Sequence, residues 1–380
     1  MMLFCRVLFF VVLAALPLQS VLAQEAIETS AKQAIIIDYD TGTVLFEKNA
    51  DQRMPTASMS KVMTMYMVFE ALKEGRLSLE DTLPVSETAW RMGGSKMFVD
   101  INSNVKIEDL IRGVIIQSGN DATIVLAEGL AGSEISFAEA MTRRAKELGM
   151  TGSNFMNASG WPDENHYSTA LDLAILATAI IRDFPDYYKY YSEIEFEYNG
   201  IKQGNRNPLL YRNIGGDGIK TGHTQEAGYG LIGSAVAGDR RVIMVVNGIE
   251  SQSERANEAA RLIQWALQGF SNRVLAKAAA PLAEANIVFG TSKTVPLVVK
   301  KDVIVTLPRT ARDNIPLEVN YNGPLVAPLS KDQPVGTLKI AVPGLPSAQE
   351  VPLYLAHNVE EQGFFAKTLT KMKLFLAGSS

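Results

Sequence analysis

Apolar positions fall into runs of distinct period along the chain, and each kind predicts a different element. Ala34–Asp38 (AIIID) is a short unbroken apolar run; Asp40-Thr41-Gly42 interrupts it and Thr43–Phe46 resumes it, which predicts a β-hairpin. From Ser58 to Lys73, Met63, Tyr66, Met67, Phe69, Ala71 and Leu72 recur with no Gly or Pro, between Pro55 and Gly75. That pattern predicts a largely buried helix. Helical spacing returns over Ile107–Ile116, Ala122–Ala131, Ser136–Leu148 and Thr169–Arg182. Strand-like runs follow at Leu231–Val236 and Arg241–Val246, either side of a Gly-Asp turn, and then a helix over Glu254–Gln268. Strands at both ends with helices between predict an α/β (α+β) domain over residues 24–276.

After Ala276 the pattern shortens. Lys277–Ala285 is Ala-rich and reads as a connector. Short β-rich runs then follow at Thr294–Val299, Val303–Leu307, Ile315–Tyr321, Gly336–Val342 and Glu350–Leu355, separated by Gly, Pro, Asn and Asp. They predict a small all-β, sandwich-like domain over 277–357. In the tail, 358–380, a helical wheel gathers Phe364, Phe365, Leu369, Met372, Phe375 and Leu376 in one arc, with Lys367, Lys371 and Lys373 outside it. This basic amphipathic helix suits a membrane interface; the alternative is docking on the β-domain, and it is too short and polar to span a bilayer.

The amino terminus has a different pattern. Arg6, the apolar stretch Val7–Leu16 and the small residues Val21 and Ala23 before Gln24 predict a signal peptide, residues 1–23, cleaved after Ala23. An uncleaved anchor is the alternative, and Cys5 lies on the wrong side of the apolar stretch for a lipoprotein. Cleavage leaves an exported chain without cysteine, whose stability must come from its core. Hydrophobic residues make up 47% and charged residues 20%, and the net charge is −5 with no basic block. That argues against nucleic acid as a partner. His166, His223 and His357 are too scattered for a metal-ligand pattern, so neither metal nor cofactor is expected. Met63, Met65 and Met67 read as core packing.

Three short motifs carry chemistry. In Ser58-Met59-Ser60-Lys61 a residue three along lies on the same helical face, so the Lys61 amine can reach the Ser58 hydroxyl. A serine hydroxyl needs an adjacent base, and an amine serves if burial and nearby cations lower its pKa. The free N–H groups of the helix start favour a developing oxyanion. Ser118-Gly119-Asn120 precedes a helix and offers Ser118 to relay a proton and Asn120 to hydrogen-bond substrate amides. Lys220-Thr221-Gly222, placed on an edge strand, offers a positive charge, a hydroxyl for a carboxylate and space for close substrate approach. The His223 N–H then pairs with that of Ser58 as an oxyanion hole. Each motif alone occurs by chance as a helix start, cap or turn. Ser-x-x-Lys, Ser-Asp-Asn and Lys-Thr-Gly together form the signature of class A β-lactamases and penicillin-binding proteins, from which Gly119 departs.

Residues 51–64 (DQRMPTASMSKVMT), 117–122 (QSGNDA) and 217–224 (DGIKTGHT) resemble the active-site regions of the low-molecular-mass penicillin-binding D-alanyl-D-alanine carboxypeptidases, the peptidase S11 family. Phe155-Met156-Asn157 and His166–Ala170 resemble it too, and the similarity spans most of residues 34–275. The trailing β-domain and tail resemble its membrane-tethered members. The resemblance implies a β-lactamase/transpeptidase-like catalytic domain, periplasmic exposure, and peripheral attachment to the outer face of the inner membrane. It also implies a peptidoglycan stem pentapeptide as substrate. Ser58 then attacks the penultimate D-Ala carbonyl, Lys61 takes its proton, and Ser118 passes one to the leaving D-Ala. Lys220 and Thr221 lie near the terminal carboxylate, Arg206 matches a flanking basic position, and β-lactam inhibitors acylate the same serine. The rival readings are a D,D-endopeptidase or weak transpeptidase, a class A β-lactamase, and an inactive peptidoglycan-binding protein. The β-lactamase is disfavoured because Asp163-Glu164-Asn165 has the wrong spacing for a deacylating Glu. The inactive protein is disfavoured because Ser58, Lys61 and Lys220 are all present.

Overall fold

The unbroken run at Ala34–Asp38 becomes strand Gln33–Asp38, and its lack of alternation has a simple cause: both faces are covered. Ile35 and Ile37 enter one hydrophobic cluster, Ala34 and Ile36 another. The strand lies inside a five-stranded antiparallel sheet in the order Val44–Lys48, Gln33–Asp38, Arg240–Ile249, Gly228–Ala237, Gly216–Thr224. The computed structural model describes residues 27–311, 315, 317–342, 345 and 348–377, with side chains to residue 372. The signal-peptide expectation for residues 1–23, and the side chains of Lys373, Phe375 and Leu376, lie outside the described residues.

Helices Lys61–Lys73, Ile107–Ile115, Asn120–Ala131, Glu134–Glu147 and Ala170–Asp183 pack on one face of the sheet, and helix Gln252–Gly269 on the other. Helix Lys61–Lys73 is buried on every side except at Met67, Glu70 and Lys73, as its many apolar positions predict. It starts later than its sequence pattern suggests. Residues Ala57–Ser60 form a tighter 3₁₀ turn, so Ser58 sits one turn ahead of the α-helix proper.

The β-rich segment forms a six-stranded sheet in the order Leu317–Tyr321, Gly336–Ile340, Gln349–Leu355, Thr294–Val298, Ala283–Val288, Leu325–Val326. Strand Phe270–Ala276 lies before the composition shift, yet it pairs with Val303–Pro308. Strand Ala283–Val288 begins inside the expected connector. Val295, Leu297, Val305, Leu307, Leu338 and Leu353 form the core of this segment.

A buried polar network joins the two segments. Arg240 Nε meets Asp38 Oδ2 at 2.8 Å, and Arg240 Nη1 donates to the carbonyls of Ala266, Leu267 and Phe270 at 3.2, 3.3 and 2.8 Å. Asp38 Oδ1 accepts from Asn272 Nδ2 at 3.2 Å, Asn272 Oδ1 accepts from Thr306 at 2.9 Å, and the Thr306 hydroxyl meets that of Thr41 at 2.6 Å. A charge pair this deep persists only because nearly every donor and acceptor around it is used.

Candidate active site

The 3₁₀ turn is wedged between a loop and a strand, and both contacts need glycine. Ala57 adopts φ 47°, and its carbonyl oxygen would lie 1.8 Å from a Cβ at Gly160, itself at φ 78°. Gly160→Ala should therefore destabilise the fold by about 3 kcal/mol, seen as a lowered thermal midpoint, and slow acylation of Ser58. An unchanged midpoint would show that this contact is not tight. On the other side, a Cβ at Gly222 would meet the Thr56 carbonyl at 2.8 Å and Met59 Cγ at 3.1 Å. Gly222 thus makes room for the turn that carries Ser58, a close approach not expected from sequence.

Ser58 is half-buried, and the i,i+3 spacing brings Lys61 Nζ to 2.8 Å from its Oγ. Lys61 is wholly buried. Its amine also donates to Asn120 Oδ1 at 2.7 Å and to the Ser159 carbonyl at 2.7 Å. Asn120 Nδ2 donates to the Gly93 carbonyl at 2.9 Å, which fixes the amide so that its oxygen faces the lysine. Both of those partners are acceptors only. A neutral amine gives them its two hydrogens, and its lone pair is left directed at the Ser58 hydroxyl. Burial, then the Arg206 charge, push the Lys61 pKa down to about 7, against the opposing pull of Asp121 and Glu134.

Asn120 thus uses one oxygen lone pair and one Nδ2–H within the protein, and its amide keeps a second acceptor site and a second donor. Ser118 has φ 59°, is buried, and its hydroxyl has no partner among the described residues. A buried hydroxyl left unpaired is costly, so this one is available to a ligand. Gly119 replaces the Asp of the signature for lack of space: a Cβ there would lie 2.8 Å from Asp121 Oδ1 and 3.0 Å from the Met97 nitrogen. Asp121 accepts the N–H groups of Met97, Phe98 and Val99 at 2.8, 2.8 and 3.3 Å. The loop carrying Gly93 and Ser95 is thereby tied to the motif.

Lys220, Thr221, Gly222 and His223 lie on Gly216–Thr224, the free edge of the sheet, which packs against the 3₁₀ turn. Lys220 Nζ donates to the Thr221 carbonyl at 3.2 Å. Burial holds its pKa well below the ordinary lysine value, helped by the charges of Lys61, Arg206 and Arg255. The exposed His223 ring stacks on Tyr229, centroids 3.9 Å apart. Arg206 donates to Ser95 Oγ at 2.6 Å, and its charge bears on both lysines. The expected residues therefore converge on one site.

Others in the site were not expected. Arg255 is buried, its Nε has no hydrogen-bond partner among the described residues, and its charge bears on Lys220; on an amphipathic helix it reads as a solvated position. The Ser159 carbonyl has no side-chain signature at all. His166 accepts the Met156 N–H at Nδ1 (3.2 Å), so Nε2 donates to Ser60 Oγ at 2.7 Å. Burial pushes its pKa down to about 4. It is a neutral strut between the 155–166 loop and the 3₁₀ turn. Among the described residues no group of three or more His, Cys, Asp or Glu is placed to hold a metal ion.

A family model for D-alanyl-D-alanine carboxypeptidase (peptidase S11) matches residues 20–251, and one for the penicillin-binding protein 5 C-terminal domain matches residues 270–361. The D-alanyl-D-alanine carboxypeptidase DacC of Escherichia coli K12 is 40% identical over 351 residues, covering 90% of this chain and 88% of its own length. The crystal structure of penicillin-binding protein 5 from Haemophilus influenzae superimposes with TM-score 0.80 at 37% identity, over 88% of this chain and 99% of that one. A D-alanyl-D-alanine endopeptidase of Pseudomonas aeruginosa is 30% identical over 66% of this chain and 80% of its own.

Proposed function

This chain belongs to the peptidase S11 family of D-alanyl-D-alanine carboxypeptidases, and from that premise we propose how its own residues carry out the reaction. It is a penicillin-binding, cell-wall hydrolase acting on peptidoglycan. In the reading we favour, the terminal carboxylate of a stem pentapeptide lies by Thr221 with Lys220 and Arg206 supplying charge. Ser58 Oγ attacks the penultimate D-Ala carbonyl carbon as its proton passes to Lys61 Nζ. The N–H groups of Ser58 and His223 receive the oxyanion. The proton then moves through the Ser118 hydroxyl to the leaving nitrogen, the C–N bond breaks and D-Ala departs. Water attacks the remaining ester, giving one proton to the site and releasing Ser58. A β-lactam carbonyl enters the same first step, and its opened ring stays tethered as an acyl-enzyme.

The observation that carries this reading is the Lys61 amine, buried against two acceptor-only groups and 2.8 Å from Ser58 Oγ. The test is D-Ala release from a diaminopimelate- or L-Lys-containing pentapeptide by the purified protein. An absence of both D-Ala release and labelling by penicillin would sink it.

The same proposal includes export and attachment to the outer face of the inner membrane through the tail. Among the described residues no helix is long and apolar enough to cross a membrane. Helix Phe364–Ala377 instead leaves Phe364 and Phe365 79% and 89% exposed, with Leu369 and Met372 also exposed. Its basic side is occupied differently: Lys367 pairs with Glu361, and Lys367 and Lys371 lie over the Phe289 ring. The exposure of Phe364, Phe365, Leu369 and Met372 supports the membrane reading over docking on the β-rich segment. Burying it in lipid gains roughly 1.5–3 kcal/mol per large side chain. Deleting the chain from Phe364 should move the protein from the membrane to the soluble fraction. Unchanged partitioning would rule out this anchor.

A further inference from the structure

Lys61 is held by a carbonyl that sits in a loop without regular structure. Ser159 belongs to the stretch between helices Glu134–Glu147 and Ala170–Asp183, so the preceding peptide must be fixed by side chains. Two side chains grip Ala158 from opposite ends. Thr64, one turn beyond Lys61 on the same helix, donates to the Ala158 carbonyl at 2.6 Å. Glu134 Oε1 accepts the Ala158 N–H at 3.0 Å. Glu134 stands in the first turn of its helix, but Ser133 caps that helix by accepting the Ser136 N–H at 3.1 Å. The carboxylate is therefore free to turn towards the loop. We propose that Glu134 is a positioning residue for the reaction, holding the Asn157–Ala158 peptide while Asn157 Oδ1 accepts the Ser159 and Gly160 N–H groups, so that the Ser159 carbonyl meets the Lys61 amine. The inference rests on the reading of Lys61 as the base.

The charge of Glu134 matters as well as its oxygen. Lys61 faces Arg206 from the segment before Pro208, Lys220 from the edge strand, Asp121 from helix Asn120–Ala131, and Glu134; His166 beside it is neutral. Glu134 faces Glu128 and Lys61. Asp121 Oδ1 and Oδ2 are already taken by backbone N–H groups, whereas among the described residues the half-buried Glu134 holds only that of Ala158. A nearby anion favours the ammonium form of Lys61, so removing it frees the amine at lower pH.

The test is the rate of acylation by labelled penicillin as a function of pH. Glu134→Gln keeps an acceptor oxygen and loses the charge. Its acid limb should move down by about half a pH unit, which makes it roughly threefold faster than the wild type well below the midpoint. Glu134→Ala loses the fastening and should acylate about tenfold more slowly at its optimum. A wild-type rate in Glu134→Ala overturns the inference. So does an unmoved limb in Glu134→Gln, since a merely structural residue would leave it in place. If Glu134→Ala fails to fold, the limb of Glu134→Gln still decides. Lys61→Ala run alongside separates two failures: loss there with a normal Glu134→Ala overturns the inference alone, whereas normal acylation in Lys61→Ala overturns the reading beneath it.

Discussion

Lys61→Arg should slow acylation of Ser58 by about 10³–10⁴-fold, although the side chain stays long and basic. A guanidinium has no lone pair to offer and is not deprotonated within a protein. Its planar fork also cannot place hydrogens on Asn120 Oδ1 and the Ser159 carbonyl while leaving a basic nitrogen facing Ser58. In the wild type the amine is protonated below about pH 7 and free above it. The sign follows directly: acylation should fall as the pH drops through about 7, because the form with a lone pair is lost. Stopped-flow acylation by a fluorescent penicillin across that range measures both effects. A variant that retains a tenth of the wild-type rate would show that the proton goes elsewhere.

Ser58→Ala should remove D-Ala release almost entirely, by a factor on the order of 10⁴–10⁶. The reaction is split in two by the covalent ester, and no other hydroxyl can replace this one. The Ser60 hydroxyl is buried against His166 and Thr56, and the Ser118 hydroxyl lies on a separate loop. Mass spectrometry after incubation with penicillin should show one adduct on the wild type and none on Ser58→Ala. Persistent turnover in the variant would remove the acyl-enzyme from the mechanism.

Much of the catalytic arrangement is legible in the sequence because side-chain identity carries it. Ser58, Lys61, Ser118 and Lys220 are chemical types at informative spacings, and the family resemblance drawn from them agrees with the family matches. What escapes the sequence acts through space or through backbone. The Ser159 carbonyl is common to every residue type, so nothing marks it until Lys61 is seen against it. Arg255 looks like a solvated helix position, because it is buried with its guanidinium over the ring of Tyr229, a long-range contact that helical periodicity does not reveal. That Gly222 admits the 3₁₀ turn is not legible either, because the atoms that fill the space come from Thr56 and Met59, far away in the chain. In the fold, apolar runs predicted strands well, including AIIID. Strand Phe270–Ala276 was hidden by its mixed composition, being a ribbon with intermediate burial at most positions.

The knot around Asp38 and Arg240 leaves the chain without a clean seam. Cutting after Gly269 would take from Arg240 its Phe270 acceptor and from Asp38 its Asn272 donor, stranding part of a buried ion pair. Cutting after Ala276 spares those contacts but strips strand Phe270–Ala276 of Val303–Pro308, its whole hydrogen-bonded partner. Either cut yields a raw strand edge or an under-coordinated charge. The β-rich segment is, in that sense, stitched to the catalytic domain through Asn272, Thr306 and the Phe270–Ala276 ribbon, and a fragment that ends before Pro308 should melt at a lower temperature than the whole chain.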